Sequence, residues 1–419
     1  MRSTGSMARG VVALDALILA RDVKGERMQL TLTEEQQLLE SSALNFLVAE
    51  YDFRRRDASI ASPEACRPQI WSRFAQLGWL GLPLPEEAGG LGGGVLETGL
   101  LMRALGRHLV VEPYHASVVL AARLLGLLDE AGHAALLQRA VEGELRLALA
   151  HEELGLDTFT PRATMAQRKG DSWVLRGRKL LAAGVPGANV LLLTAADSEG
   201  MTRIFRVPAY IAGLHAHACQ LADGSYAADL TFDELELPEN MLVAGEHDVE
   251  ATLHIVLAGG IVALCWEASG AMQAALEQTA RYTQQRQQFG QALARFQVVQ
   301  HRLAEMAVCC EEARAACELA ALRLDMPCVD VKTALALASF AKSKVGRCAR
   351  VVSQEAVQLH GGMGVCEELP VAAIFRKLSA FGQQFGAAAL HSERYGATLL
   401  ASGHWRTSQT LLEPGSPAA

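Results

Sequence analysis

Two stretches decide the fold: Arg286–Met306 reads RQQFGQALARFQVVQHRLAEM, and Val357–Arg376 reads VQLHGGMGVCEELPVAAIFR. In the first, an arginine ends one helix, and a turn precedes a second helix that starts near Phe296. A guanidinium beside a helix start can bind a diphosphate through bidentate hydrogen bonds and free backbone N–H groups. In the second, an Ala-rich helix stops at Gly361 and Gly362, where backbone can approach a phosphate chain because no Cβ intervenes. The pair predicts a phosphate-binding surface on a helical bundle.

Outside these two stretches, the sequence pattern changes twice along the chain, from helical to strand-like and back to helical. Thr33 is the expected N-cap of an amphipathic helix, and helical periodicity continues through the N-terminal part. Short strand-like runs begin near Glu144, with turns at roughly the 8–12-residue spacing of a compact β domain. Long helices return near Val249. No GxGxxG motif follows a strand, so a Rossmann fold is disfavoured.

We therefore expect an α+β fold with a small β domain between two helical domains. Its long C-terminal helices have small-residue faces that suit packing against each other and against other subunits. The expected parts are a leader or tag at 1–27, an N-terminal helical domain at 28–144, a middle β-barrel-like domain at 145–246, a C-terminal four-helix-bundle domain at 247–402 and a flexible tail at 403–419.

Composition excludes several classes of protein. The 419 residues carry a net charge of −8 and a pI of about 5.9, which gives no basic footprint for nucleic acid or an anionic membrane. No stretch approaches the ~18 uninterrupted apolar residues of a membrane span, so we expect no membrane insertion. The nine cysteines form no CxxC pair. We expect reduced, buried thiols without metal or disulfide roles, in a cytoplasmic protein.

The two stretches, together with LPLPEEAGGLGGG at 82–94, resemble three motifs of the acyl-CoA dehydrogenase superfamily. The resemblance implies that family's three-domain fold and FAD-dependent α,β-desaturation of an acyl-CoA thioester, with an electron acceptor such as electron-transfer flavoprotein. It also implies that the C-terminal domain reaches across a subunit interface to hold the ADP half of the neighbouring chain's FAD. The residues implied to make these contacts are Arg286, Gln288, Phe289, Gln297, Gln358, Gly361 and Gly362.

The resemblance is weaker on the flavin side of the β domain. Glu152, Gly177 and Lys179 match the family pattern, but the usual Ser-Asp pair is absent. Ala182 and Ala183 stand where a side-chain donor or an aromatic residue is often found. The flavin half of this chain's own site is therefore expected to be depleted.

The family's proton-abstracting glutamate is missing from both of its usual places. One place lies nine residues after Arg376 and is Phe385; the other lies 26 residues before Arg286 and is Gly260. We therefore predict no catalytic residue in this chain. An alternative base is Glu267, on the same helix as Gly260, although helical glutamates are usually solvated or paired.

In lacking the glutamate at both places, this chain resembles the small subunit of the pimeloyl-CoA dehydrogenase group. In the heteromeric enzymes of that group, only one chain type carries the base. The runs 51–114 and 361–386 carry the likeness, whereas Ala387 and Ala389 depart from it. We predict a non-catalytic subunit of a heteromeric acyl-CoA dehydrogenase, supplying ADP-half contacts to a base-carrying partner in fatty acid or sterol side-chain catabolism. Two alternatives stay open: a self-sufficient homo-oligomer with an unusual base, and a scaffold that has lost its flavin.

Overall fold

The computed structural model describes residues 31–61, 66–128, 130–243 and 248–403. The predicted leader at 1–27 and residues 404–419 of the predicted tail lie outside these ranges. Along the described ranges, helices come first, a sheet follows, and long helices return. The predicted fold class is therefore confirmed.

The N-terminal part is helical, as predicted. The Thr33 cap is confirmed, because its hydroxyl accepts a hydrogen bond from the Gln36 N–H at 3.2 Å, while the Gln36 side chain accepts one from the Thr33 N–H at 2.9 Å. The first part of helix α5, His115–Ala122, is π-helical. The helices described here are α1 Glu34–Glu50, α2 Phe53–Ile60, α3 Pro68–Gln76, α4 Val95–Arg107, α5 His115–Leu128 and α6 Glu130–Val141.

The middle part is a mixed sheet, in which β1 runs parallel to β4 and the order of hydrogen-bonded neighbours is β6–β7–β3–β2–β4–β5–β8. Its strands are β1 Leu147–Ala150, β2 Met165–Lys169, β3 Ser172–Ala183, β4 Val190–Ala196, β5 Thr202–Pro208, β6 Leu214–Gln220, β7 Tyr226–Pro238 and β8 Leu242–Val243. Strand β3 coincides with the strand-like run SWVLRGRKLLAA, which the sequence pattern predicts at 172–183. Strands β2 and β6 escape prediction because most of their side chains are exposed, so neither shows the apolar alternation of a half-buried strand.

Long helices build the C-terminal part. Helix α7 is, within the described ranges, the one helix long and apolar enough to cross a membrane by composition, and 72% of its most apolar window is buried in the fold, as in a core helix. The elements are α7 Val249–Gln285, a hairpin of β9 Gln287–Gln288 and β10 Gln291–Ala292, α8 Gln297–Leu324, α9 Val331–His360, α10 Pro370–Phe381 and α11 Ala388–Ser402.

Helices α4 and α7 cross with their backbones in contact. A Cβ built at Gly106 would lie 1.9 Å from the Glu267 carbonyl oxygen, and one at Gly270 would lie 1.9 Å from the Arg103 carbonyl oxygen. Neither position can hold a side chain unless the helices separate. The crossing joins the N-terminal helices to the C-terminal bundle, and one hydrophobic core extends from Ala43 of α1 to residues of α10.

Substitution of Gly270 by alanine should destabilise the fold by about 3 kcal/mol, because the added methyl group meets backbone that has no rotamer to change. The matched control is Gly396→Ala in α11, where a Cβ meets nothing within 4 Å. That change should be neutral or stabilising by about 0.5–1 kcal/mol, through helix propensity alone. Urea unfolding of both variants checks this, and equal effects would contradict the close crossing.

Candidate functional site

The two motifs that predict the ADP-binding surface meet at one end of the C-terminal bundle. Arg286 is the first residue after α7, and Gly361 is the first residue after α9. Tyr282 of α7 joins the ends of α7 and α9. Its hydroxyl donates a hydrogen bond to the His360 carbonyl at 3.3 Å, and its ring stacks on the His360 ring at 4.4 Å between centroids. The structure therefore brings together two segments that are far apart in sequence.

Every residue of the predicted ADP surface is exposed in this chain. Phe289 is the extreme case, an aromatic side chain that is 89% exposed and touches Phe296 edge-on at 6.2 Å between centroids. A Cβ at Gly361 or Gly362 would meet nothing within 4 Å. The exposed set is Arg286, Gln288, Phe289, Gln297, Gln358, Gly361 and Gly362.

This donor set fits the diphosphate and nucleoside of FAD. A guanidinium, several carboxamides and Cβ-free backbone are the groups that bind phosphate oxygens and adenine or ribose edges. Within the described part of the chain, Arg286 takes part in no salt bridge, so its charge is available to an anion. The surface faces outward, as the resemblance implies for a cofactor held by a neighbouring chain.

In the β domain, Lys179 forms its ion pair with the neighbour of Glu152 in the sequence. Glu153, not Glu152, pairs with the buried Lys179, at 2.6 Å between Oε1 and Nζ. Neighbouring residues in extended chain point to opposite sides, so only one of the two can face Lys179. Burial lowers the pKa of Lys179 to about 8, against the opposing charge of Glu153, and burial raises the pKa of Glu152.

A cleft lies between α4, the start of α5, the end of β3, α7 and α10. It encloses, with its open mouth, about 680 Å³ free of atoms. Small residues, Ala183 and Gly184, line its β side. The polar lining residues are Glu112, Tyr114, His115, Asp223, Ser225, Tyr226, Glu267, Lys377 and Gln384.

Glu267, the alternative base, is held in an ion pair. Its Oε1 lies 2.8 Å from Nζ of Lys377, whose amine is also 4.0 Å from the Asp223 carboxylate. Burial raises the pKa of Glu267, whereas Lys377 opposes that rise. Of the two usual states of a helical glutamate, solvated or paired, Glu267 is in the paired one, although it lies in the cleft and not on an open helix face.

Glu112 is a second cleft carboxylate, which the sequence analysis did not consider. Its Oε1 accepts a hydrogen bond from the Ser59 hydroxyl at 2.9 Å and lies 3.5 Å from Nε of Arg67. Its Oε2 is shut off from solvent and finds no partner among the described residues. Oε1 therefore serves the contact with α2 and with Arg67, the residue before α3, and the Glu112 side chain is shut off from solvent.

Both vacant base positions touch His115, which the sequence analysis missed. Its Nε2 lies 2.9 Å from the Gly260 carbonyl oxygen, and its ring meets the Phe385 ring edge-on at 6.1 Å between centroids. A carbonyl only accepts, so Nε2 carries the proton and Nδ1 is the bare nitrogen of a ring that lines the cleft. Burial lowers the pKa of His115 to about 4. No sequence signal joins residues that are so far apart in the chain.

Apolar side chains occupy the space at both vacant positions. A Cβ at Gly260 would lie 2.4 Å from Cδ2 of Leu120. Phe385 has a positive φ of 55°, and its carbonyl accepts a hydrogen bond from Nε2 of His391 at 2.9 Å. Its ring is partly buried and packs against two of the hydrophobic cores. These places are filled by apolar packing.

Known proteins resemble this chain along most of its length. The family described as "Acyl-CoA dehydrogenase, N-terminal domain" matches residues 33–144, and "Acyl-CoA dehydrogenase, C-terminal domain" matches residues 256–400. A cyclohex-1-ene-1-carbonyl-CoA dehydrogenase of Geobacter metallireducens is 30% identical over 82% of this chain and 92% of its own. An acryloyl-CoA reductase (NADH) of Anaerotignum propionicum is 26% identical over 86% of this chain and 93% of its own.

Solved structures agree with the sequence relatives. A chain of the ChsE4–ChsE5 complex from Mycobacterium tuberculosis is 25% identical, with a TM-score of 0.80 over 89% of this chain and 99% of its own. A chain of the Tcur3481–Tcur3483 steroid ACAD is 29% identical, with a TM-score of 0.79 over the same shares, 89% and 99%. This protein therefore belongs to the acyl-CoA dehydrogenase family, whose members are FAD-dependent oxidoreductases that act on CH–CH bonds.

Proposed function

We propose that this chain is the base-free subunit of a heteromeric acyl-CoA dehydrogenase and lends its ADP-binding surface to the FAD of a partner chain that carries the glutamate. The observation that carries the proposal is the filling of both base positions: Leu120 closes the space at Gly260, and Phe385 is part of the packing. Desaturation needs a positioned base for the α-proton. Of the three cleft carboxylates, Glu112 and Glu267 are each tied to a cation, and Asp223 lies 4.0 Å from Nζ of Lys377.

The outward-facing ADP surface supports the second half of the proposal. When bound, FAD supplies the hydride acceptor for acyl-CoA desaturation. Arg286 would hold its diphosphate, while Gln288 and Gln358 would hold its nucleoside. Phe289 at 89% exposed is costly to leave in water, and coverage by a cofactor or a partner chain relieves that cost. A scaffold that had lost its flavin gives no reason for this set of donors.

The relatives support a two-chain enzyme. Two of the similar solved structures, ChsE4–ChsE5 and Tcur3481–Tcur3483, are each named for two different chains. The second of them is named as a steroid ACAD. For this chain we infer a second acyl-CoA dehydrogenase subunit as the partner, an acyl-CoA thioester as the substrate of the assembly, and a flavoprotein as the electron acceptor. A screen for substrates should therefore include a sterol side-chain CoA thioester as well as linear acyl-CoA thioesters. A cytoplasmic location stays a prediction.

One observation favours a second candidate, a self-sufficient homo-oligomer that uses an unusual base. His115 is neutral near pH 7, because burial lowers its pKa to about 4, and its bare Nδ1 belongs to a ring that lines the cleft. Such a nitrogen can accept a proton, although a pKa so low makes it a weak base. The proposals differ in where activity resides, so the same experiments separate them.

The isolated chain should contain little FAD and should not desaturate acyl-CoA, whereas co-expression with the partner should give a yellow, active complex. The reason is that the chain lacks a base and offers an ADP surface that faces outward. Flavin content, dye-linked activity and mass by light scattering check all three points. Turnover by a homo-oligomer at the rate of the complex would contradict the base-free assignment.

Substitution of Arg286 by alanine in the complex should weaken FAD binding by roughly tenfold to a hundredfold, because charge-assisted hydrogen bonds contribute about 1.5–3 kcal/mol. The control is Arg139→Ala, which removes a comparably exposed arginine of α6 that pairs with Glu144. The control should bind FAD as the unsubstituted complex does. Equal FAD titrations for the two variants would remove Arg286 from the site.

Substitution of His115 by glutamine separates the two candidates. The glutamine amide can still donate to the Gly260 carbonyl but offers no imidazole nitrogen to a proton. If a partner carries the base, kcat of the complex should change by no more than about threefold; if His115 is the base, kcat should fall by about 10²–10⁴. Steady-state kinetics at saturating acyl-CoA decide between these outcomes, and circular dichroism confirms folding.

A further inference from the structure

Helices α8 and α9 pack side by side in a register fixed by two cross-helix ion pairs. Arg302 of α8 lies 3.0 Å from Glu355 of α9, and Lys344 of α9 lies 2.6 Å from Glu312 of α8. Between these pairs, the antiparallel register places Cys309 opposite Cys348. Cys309 is seven residues beyond Arg302, and Cys348 is seven residues before Glu355. A seven-residue step is two helical turns, so both cysteines stay on the same seam as the ion pair.

The two sulfur atoms are close neighbours. Sγ of Cys309, Sγ of Cys348 and a carboxylate oxygen of Glu312 all lie within 4.8 Å of one another. The hydrogen bond with Cys348, helped by the nearby Lys344 ammonium, lowers the pKa of the Cys309 thiol to about 7, although burial and Glu312 oppose this. Cys309 is half-buried and Cys348 is buried. This pair has an accessible, acidic thiol beside a second, shielded thiol.

The other cysteines provide the contrast. Cys310 is buried, and burial raises its pKa to about 12. Cys328 is exposed and belongs to no such cluster. The sequence-based expectation of uniformly buried thiols is therefore wrong, because four further cysteines are half-buried: Cys66, Cys219, Cys309 and Cys366.

A metal ion fits the cluster less well than a thiol pair does. Zinc sites take three or four protein ligands. Here the Glu312 carboxylate is already engaged by Lys344 at 2.6 Å, which leaves two sulfur ligands beside a cation. A positive side chain next to a thiol favours the thiolate and so favours nucleophilic chemistry.

We propose that Cys309 and Cys348 are a reversible redox pair that hydrogen peroxide converts into a disulfide bond between α8 and α9. The Cys309 thiolate attacks one peroxide oxygen, the O–O bond breaks, and a sulfenic acid and one water are formed after protonation. Cys348 then attacks the sulfenic sulfur, the S–S bond forms, and a second water leaves. In total, two thiols lose two electrons and two protons to one peroxide, and a dithiol reductant reverses the change.

The disulfide would link α8 and α9, the two helices whose ends carry part of the ADP surface. Gln297 begins α8, twelve residues before Cys309, and His360 ends α9, twelve residues after Cys348. At 1.5 Å per residue, this is about 18 Å from the cross-link to the end of the bundle that bears Gly361. The disulfide itself involves neither FAD nor a partner chain, so it stands independently of the proposed function.

The test is peptide mapping of the full chain without reduction, after a titration with hydrogen peroxide. Trypsin should release LAEMAVCCEEAR, residues 303–314, joined to CAR, residues 348–350. At pH 7 the cross-link should form roughly tenfold faster than oxidation of Cys328, because the lowered pKa of Cys309 favours its thiolate. Dithiothreitol should separate the peptides.

Variants assign the partners. Cys309→Ser and Cys348→Ser should each abolish the cross-link, whereas Cys310→Ala should leave it, which separates Cys309 from its neighbour in the same peptide. Circular dichroism checks that each variant is folded. The proposal is overturned by a cross-link that survives in Cys309→Ser, by overoxidised Cys309 without a cross-link, or by Cys328 oxidising first. Tight binding of one zinc ion per chain that requires Cys309 would likewise replace the redox pair with a metal site.

Discussion

The backbone contact between α4 and α7 is the constraint on which the rest of the structure depends. Because Gly106 and Gly270 have no side chain, the backbones of the two helices come into direct contact. The N-terminal helices and the C-terminal bundle therefore share one core. The same crossing fixes Glu267 beside the cleft and sets α5 against α7, where His115 reaches the Gly260 carbonyl. The shape of the cleft therefore follows from two residues that have no side chain.

Within that cleft, Glu267 and Glu112 make ion pairs and hydrogen bonds that hold neighbouring parts of the chain together. Glu267 binds Lys377, which lies near Asp223 of the β domain, and Glu112 binds groups of α2 and of the residue before α3. A desaturase base must instead be a carboxylate free to meet the α-carbon. By contrast, the exposed side chains of Arg286, Gln288 and Gln358 at the end of the bundle have no hydrogen-bond acceptor in the described part of this chain. We infer a division of labour, with cofactor contacts kept here and proton abstraction left to a partner.

The sequence predicted what depends on local signals. Helix α8 begins one residue after its predicted start at Phe296, and α9 stops at Gly361 as predicted, because the turn before α8 and the glycine pair after α9 are local signals. It did not predict β2 and β6, whose exposed side chains lack alternation. The site divides in the same way. The empty base positions could be counted from motifs, but His115 and the choice of Glu153 over its neighbour depend on contacts between distant residues, which no spacing rule reports.

The most direct test of the account uses the assembled complex with the partner's glutamate replaced by glutamine. Flavin reduction is followed anaerobically after mixing with excess acyl-CoA, in parallel with the unsubstituted complex. On the proposal that this chain supplies no base, we predict that the substituted complex keeps its FAD and that none of its flavin is reduced on the timescale of normal turnover. Rapid reduction of any fraction of the flavin would show that this chain abstracts the proton itself and would contradict the account.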